Sequence, residues 1–273
     1  MHPRLFTTLV LIDPAMGLLS SSPPEAGPGP GMLSTYRKDI WPSRDAAAEE
    51  FRSSKFFREW DPRVLDRLIE YGLRDLPTSV YPDDAMVKGE KRVTLTTTKH
   101  QEVFTFLHPN FDGYGPDKAP DRRTHADLNP ALPTIYPFYR ADSPQTFFRL
   151  PELRPSVLYI FGNKSSLSMP ANCQAKMDTT GIGVGGSGGA AAGRVKSVRL
   201  EDAGHLMPME AVGRTADAAV DWLDSEMQRW TKGEEGFCRM WSAKPMQEKR
   251  MVDDKWKEMM GPLAFKKPTA PRL

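Results

Sequence analysis

The chain has 273 residues, of which 39% are hydrophobic and 26% charged, ordinary values for a globular protein with room for one large domain or two small ones. Lys and Arg number 37 against 35 Asp and Glu, a net charge of +2. That balance argues against nucleic acid or an anionic membrane surface as partners, since both call for a strong basic excess. No run nears the roughly 20 apolar residues of a membrane span. The two cysteines, Cys173 and Cys238, match no metal or redox spacing, so the sequence implies no metal, no cofactor and a reducing compartment.

The first segment, Met1 to Asp13, has an apolar stretch broken by Thr7 and Thr8 and no clear small-residue cleavage site after it. It therefore reads as structure and not as a signal peptide. Leu9 to Ile12 is an unbroken apolar run ending at Asp13-Pro14, the pattern of a strand buried on both faces of a parallel sheet. Residues 20–31 form a Pro/Gly linker. From about 33 to 150 the signals are mostly helical. Ser43 starts one helix. Asp61 caps a second, with Pro62 at its first position, an apolar stripe of Val64, Leu65, Leu68 and Ile69, and Gly72 to end it; Ser143-Pro144 repeats the cap pattern. The aromatics among these helices either roof an apolar pocket or are simply core.

After Pro155 the pattern changes. Val157 to Gly162 is a second buried strand, Ser168 caps a short helix, and residues 181–193 are a flexible glycine-rich loop. Val198 and Leu200 belong to a third strand that runs into Gly204-His205. A helix follows with Val212, Ala216, Ala219, Val220, Leu223, Met227 and Trp230 on one face, spaced by three and four. Pro245 opens a last amphipathic helix with Val252, Trp256, Met259 and Met260. The order of strand, helical block, strand, helix, strand, helix indicates an α/β fold with a parallel sheet and an insertion. Four segments follow: 1–16, a linker and helical cap at 17–150, a core with the histidine at 151–232, and a helix and tail at 233–273.

His205 is the strongest chemical signal. It stands in Gly204-His205-Leu-Met-Pro208-Met-Glu210, after a strand and before a helix. Open α/β sheets place their ligands at that end of the strands, and a near-neutral pKa suits an imidazole to take and return a proton.

These segments resemble the carboxy-terminal half of an α/β-hydrolase. His2 to Pro14 is similar to the end of that family's nucleophile helix and its sixth strand, Arg154 to Gly162 to its seventh, and Val198 to His205 to its eighth strand and histidine loop. The likeness covers residues 1 to about 230 and extends to fungal hydrolases of polyketide toxin clusters in plant pathogens, themselves similar to a yeast peroxisomal lipase. It implies the last three parallel strands of that fold, with a helical cap inserted among them.

The resemblance also implies a triad, with two departures. The family's acid usually follows the seventh strand in a Gly-x-x-Asp pattern, whereas this chain reads Gly162-Asn-Lys-Ser165-Ser166. Asp13, in an Ile-Asp-Pro-Ala context similar to that of some lipases with the acid one strand earlier, is the substitute; the other reading of Asp13 is a turn-capping aspartate. The serine nucleophile, expected in a Gly-x-Ser-x-Gly turn before the helix that Met1 to Phe6 would finish, is absent from the chain. The literal match Gly185-Gly186-Ser187-Gly188-Gly189 has no strand leading into it, and the Gly-x-Gly-x-x-Gly match at Gly181 to Gly186 lacks the strand and helix that dinucleotide binding needs. The terminal Pro271-Arg272-Leu273 resembles the Ser-Lys-Leu peroxisomal address. It implies a peroxisomal import receptor as partner and a peroxisomal location, with the cytoplasm as alternative. Two functions stay open. One is a serine hydrolase acting on the ester, lactone or acyl thioester of a small apolar polyketide or fatty-acyl substrate, with His205 and Asp13 as base and acid and the chain inactive alone. The other is a non-catalytic binding module derived from such an enzyme.

Overall fold

The computed structural model describes residues 5–18, 29–82, 86–87, 90–115, 118–129 and 136–261. Two compact units divide the chain, Met1–Leu223 and Asp224–Leu273.

The first unit opens with strand β1 (Thr8–Ile12), as the apolar run leads one to expect. The insertion follows it. Helix α1 (Pro30–Tyr36) has proline at its first position, where the missing amide costs nothing. After strand β2 (Ile40–Trp41), helix α2 (Arg44–Ser53) starts from Ser43, whose hydroxyl accepts from the Ala46 amide. Helix α3 (Pro62–Tyr71) has the ends its sequence announces: Asp61 accepts from the Arg63 amide, and Gly72 stands at the C-cap. Strand β3 (Leu73–Asp75), the hairpin of β4 (Met86–Val87) and β5 (Glu90–Lys91), and strand β6 (Val93–Leu95) come next. Strands β2, β6 and β3 form an antiparallel sheet in that order. The sequence reading took this stretch as mostly helical, because strands of two or three residues are too short to display a period of two. Trp41, Ala47, Phe51, Leu65, Leu73 and Val93 pack as its own core, with Trp41 edge-on to Phe51 at 5.2 Å.

Helix α4 (Lys99–Phe106) begins with a capping box: Thr98 accepts from the Gln101 amide and Gln101 returns the bond to the Thr98 amide. Strands β7 (His108–Pro109) and β8 (Phe138–Tyr139) pair, and helix α5 (Asp142–Arg149) closes the insertion. Ser143 is not its cap. The helix starts one residue earlier, and the Ser143 hydroxyl accepts instead from the Gly17 amide at 3.1 Å, tying the insertion to the segment after β1.

Strand β9 (Ser156–Gly162) is buried along its whole length. It lies between β1 and strand β10 (Val195–Leu200), parallel to both. Successive side chains of a strand point to opposite faces, and β9 divides that way. Leu158 and Ile160 pack with Leu200, Ala203, Met207 and Trp222 on one face; Val157, Tyr159 and Phe161 pack with Cys173 and Val195 on the other. Helix α6 (Pro170–Thr179), a four-residue helix α7 (Met207–Glu210) and the long α8 (Val212–Ala243) complete the series. This is the parallel α/β sheet with an insertion that the sequence implies.

Two further local expectations fail in this unit. The glycine-rich loop is not slack. The amides of Gly181, Gly183 and Ser187 donate to the carbonyls of Leu150, Pro151 and Leu153, and its turns use the positive φ of Gly181, Gly185, Gly188 and Gly189. The face that the first part of α8 buries is also not the expected apolar stripe. Thr215 and Trp222 are buried while Val220 and Leu223 are exposed. Both buried residues have satisfied polar atoms, because Thr215 donates to the Met207 carbonyl and the Trp222 indole donates to Thr8 at 2.8 Å.

In the second unit the expected single last helix is two, α9 (Met246–Arg250) and α10 (Asp254–Met260). The chain turns extended at Met251, and Asp253 caps a new start by accepting from the Trp256 amide. Phe237 and Trp241 stack along the α8 portion of this unit, with Lys249 over the Trp241 ring.

Candidate active site

Asp13 is the first residue past β1. Its amide donates to the Ile160 carbonyl at 2.8 Å, which continues the β1–β9 ladder, and then the backbone turns sharply with φ at 41°. That left-handed conformation is uncommon for any residue but glycine, though aspartate tolerates it better than most. The turn is braced by the buried Lys176, whose Nζ donates to the Pro14 carbonyl at 3.1 Å. Burial holds the Lys176 ammonium below its usual range, against the charges of Cys173 and Asp13.

The Asp13 side chain is only 1% exposed and receives three donors. His205 Nδ1 lies 2.8 Å from Oδ2, the Ser165 hydroxyl donates to the same oxygen at 2.5 Å, and the Ser168 hydroxyl donates to Oδ1. Burial alone would raise the pKa of this carboxyl. The bonds from His205, Ser165 and Ser168, with the nearby imidazole charge, outweigh it and hold the pKa below the ordinary 3.8.

His205 reaches Asp13 across 192 residues of sequence. It leaves β10 through a short loop whose shape depends on two neighbours. The Gly204 amide donates to Glu210 Oε2 at 2.6 Å, so the first carboxylate of the following helix closes the loop. Gly162, at the end of β9, lies against the loop so closely that a Cβ there would stand 2.5 Å from the carbonyl oxygens of Ala203 and Gly204. The imidazole is half-exposed, at 51%. An ionised carboxylate only accepts, so Nδ1 carries a proton, which makes Nε2 the acceptor of that tautomer. Asp13 is the imidazole's one polar partner among the described residues.

Asp13 and His205 therefore come together, and Ser165 joins them. Ser166 is exposed and takes no part. Ser187 lies apart, with its amide on Leu153 and its hydroxyl accepting from Gly189. Gly181 to Gly186 follow α6 and not a strand, so the context for dinucleotide binding is missing here too. Pro271, Arg272 and Leu273 lie outside the described residues. The sequence reading missed Ser168, which it took for a helix cap; the helix starts at Pro170, and the hydroxyl turns to the carboxylate instead. It also gave Glu210 and Lys176 no role. The first was visible in the Pro-x-Glu pattern, while nothing in one dimension marks a buried lysine. Among the described residues no group of His, Cys, Asp or Glu could hold a metal ion, and no helix is long and apolar enough to cross a membrane.

A parallel sheet that brings a strand-end aspartate to a histidine past the last strand is the α/β arrangement that the resemblance to α/β-hydrolases implies. The proteins this chain is similar to in sequence are fungal. It is 39% identical over 281 residues to the type I acyl-CoA thioesterase mpaH of Penicillium roqueforti (strain FM164), a match covering 96% of this chain and 62% of that protein. It is 29% identical over 226 residues to the abhydrolase domain-containing protein ACTT2-1 of Alternaria alternata, covering 82% of this chain and 76% of that one. The solved peroxisomal α/β-hydrolase Lpx1 of Saccharomyces cerevisiae aligns with a TM-score of 0.49 at 14% identity, over 95% of this chain and 54% of that one. No protein-family model matches the chain. The chain spans 62% of the length of the thioesterase it matches.

Proposed function

We propose that the chain supplies the acid and the base of a serine hydrolase that cleaves the thioester, or a related ester or lactone, of an apolar polyketide or fatty-acyl substrate. The observation that carries this is the contact of 2.8 Å between His205 Nδ1 and a buried Asp13, on an imidazole that is itself half-exposed. The serine belongs to polypeptide preceding residue 1, on a strand that pairs with the other edge of β1. As its oxygen attacks the acyl carbon, its proton passes to Nε2. The tetrahedral oxyanion collapses, the carbon–sulfur bond breaks, and Nε2–H protonates the departing thiolate. Water then repeats the sequence on the acyl-enzyme, releasing the acid and the serine. Asp13 holds the ring in one tautomer and stabilises the imidazolium formed in each half.

The thioester is favoured within this class by the similarity to a protein named as an acyl-CoA thioesterase. The insertion forms the acyl-binding roof. The Asp61 amide donates to the Met209 carbonyl at 2.8 Å, which sets the cluster of Phe56, Phe57 and Trp60 beside the helix that follows His205. Pro271-Arg272-Leu273 is the address read by a peroxisomal import receptor.

The test is thiol release from a medium-chain acyl-CoA by the chain joined to an upstream region that carries the proposed serine. His205→Ala lowers kcat on the order of a thousandfold or more, as loss of a triad member does. Full activity in that variant, or hydrolysis by the present chain alone, overturns the assignment.

A further inference from the structure

The Asp13 carboxylate is held by more than its histidine. Oδ1 is occupied by the Ser168 hydroxyl, and Oδ2 is shared between the Ser165 hydroxyl and His205 Nδ1. Both serines are buried, and both come from the short turn directly after β9. Neither hydroxyl is free to look elsewhere. Ser165 Oγ already accepts from the Leu167 amide at 3.2 Å, so its single proton is directed at the carboxylate. The Ser168 backbone is pinned at both ends: its amide donates to the Ser165 carbonyl at 3.1 Å, and its carbonyl accepts from Arg199 at 3.2 Å.

We propose that Ser165 and Ser168 are positioning residues of the site, a pair of hydroxyls that fixes the rotamer of Asp13 and so presents Oδ2 to His205. The proposal rests on the reading of Asp13 and His205 as acid and base. The chemistry of the clamp fits that task. Two hydroxyls satisfy the carboxylate without neutralising it, so its full negative charge faces the imidazole. A cation in their place would cancel the charge an imidazolium needs beside it. The one buried cation nearby, Lys176, donates to the Pro14 carbonyl. The charged groups that face the clamp are the imidazole in direct contact, this ammonium behind the turn, and the Arg199 guanidinium on the Ser168 carbonyl. With the serines removed, the burial of Asp13 stays, the bond from His205 stays, and two of the bonds that offset the burial go.

Nitrogen-15 NMR of histidine-labelled protein reads the His205 tautomer, and carbon-13 NMR reads the Asp13 carboxyl titration. The native chain shows the Nδ1–H tautomer and an Asp13 midpoint below the ordinary carboxyl range. Ser165→Ala with Ser168→Ala loses tautomer preference and moves the Asp13 midpoint upward. Ser166→Ala moves neither, and Ser165→Thr, which keeps a hydroxyl, stays near native. Where the double variant does not fold, each single alanine variant shows part of the same shift. An unchanged tautomer and midpoint in the alanine variants overturns the clamp. Asp13→Asn separates that result from failure of the underlying reading. If it scrambles the tautomer while the serine variants do not, only the clamp is wrong; if it leaves the tautomer unchanged, the Asp13–His205 pairing itself is wrong.

Discussion

A buried carboxylate is tolerated only where its bonds replace the water it has lost. Asp13 meets that condition with two hydroxyls and an imidazole, and its lowered pKa makes the arrangement measurable through stability. In the unfolded chain Asp13 titrates near its ordinary 3.8 and in the native chain below it. Between those two values the unfolded state binds more protons, so native stability rises with pH across the window. The contribution is fully present above 3.8 and is lost as pH falls through the native pKa. Urea unfolding of the native chain and of Asp13→Asn will therefore show a stability gap that is constant near neutrality and narrows below about pH 4. A gap that widens on acidification would mean that the native carboxyl is the more readily protonated form.

At the scale of single elements, the site depends on short connections more than on the strands they join. The loop from β10 to α7 is held by the Glu210 carboxylate on one side and by the bare Cα of Gly162 on the other. Helix ends carry comparable weight in the insertion. Thr98 is buried at the start of α4 and its hydroxyl accepts from the Gln101 amide, so Thr98→Ala leaves that amide without its cap. The expected loss is about 1 kcal/mol of unfolding free energy, the usual value for such a cap. Chemical denaturation of the whole chain measures it, and a loss below about 0.3 kcal/mol would show that the insertion unfolds separately from the probed transition.

Over the whole molecule, the insertion is a second packing centre and not a fringe of the sheet. Trp41, Phe51 and Val93 form a core of their own, while the Ser143 and Asp61 bonds tie that body to both ends of the candidate site. Strand β1 pairs only with β9 among the described residues, which leaves its other edge for the nucleophile strand of the proposed enzyme. The tail carries the remaining prediction. A fluorescent protein fused ahead of residues 260–273 collects in fungal peroxisomes, and deleting Leu273 releases it to the cytosol, because such an address is read at a free end. A diffuse signal from the intact tail would make Pro271-Arg272-Leu273 a coincidence and leave the cytosol as the location.

Much of this architecture is legible in one dimension, for physical reasons that differ from element to element. The runs at Leu9 and Val157 are apolar on both faces because their strands are covered on both faces. The ends of α3 are explicit because Asp61, Pro62 and Gly72 act on their own neighbourhood. Gly204-His205 stands out because the strand before it and the helix after it are local signals as well. Other features depend on partners distant in sequence. Ser143 and Ser168 look like caps to any local rule, yet Gly17 and Asp13 claim their hydroxyls across 126 and 155 positions. The apolar stripe of α8 misleads because burial follows satisfied bonds at Thr215 and Trp222 and not hydrophobicity alone. The glycine loop reads as slack because its restraints lie on Leu150, Pro151 and Leu153. Composition and spacing determine the three strands of the parallel sheet and the ends of helices such as α3, and they put Asp13 and His205 at strand ends. Only the packed sheet, by setting β1 and β10 on either side of β9, brings those ends together and shows that two serines hold the carboxylate between them.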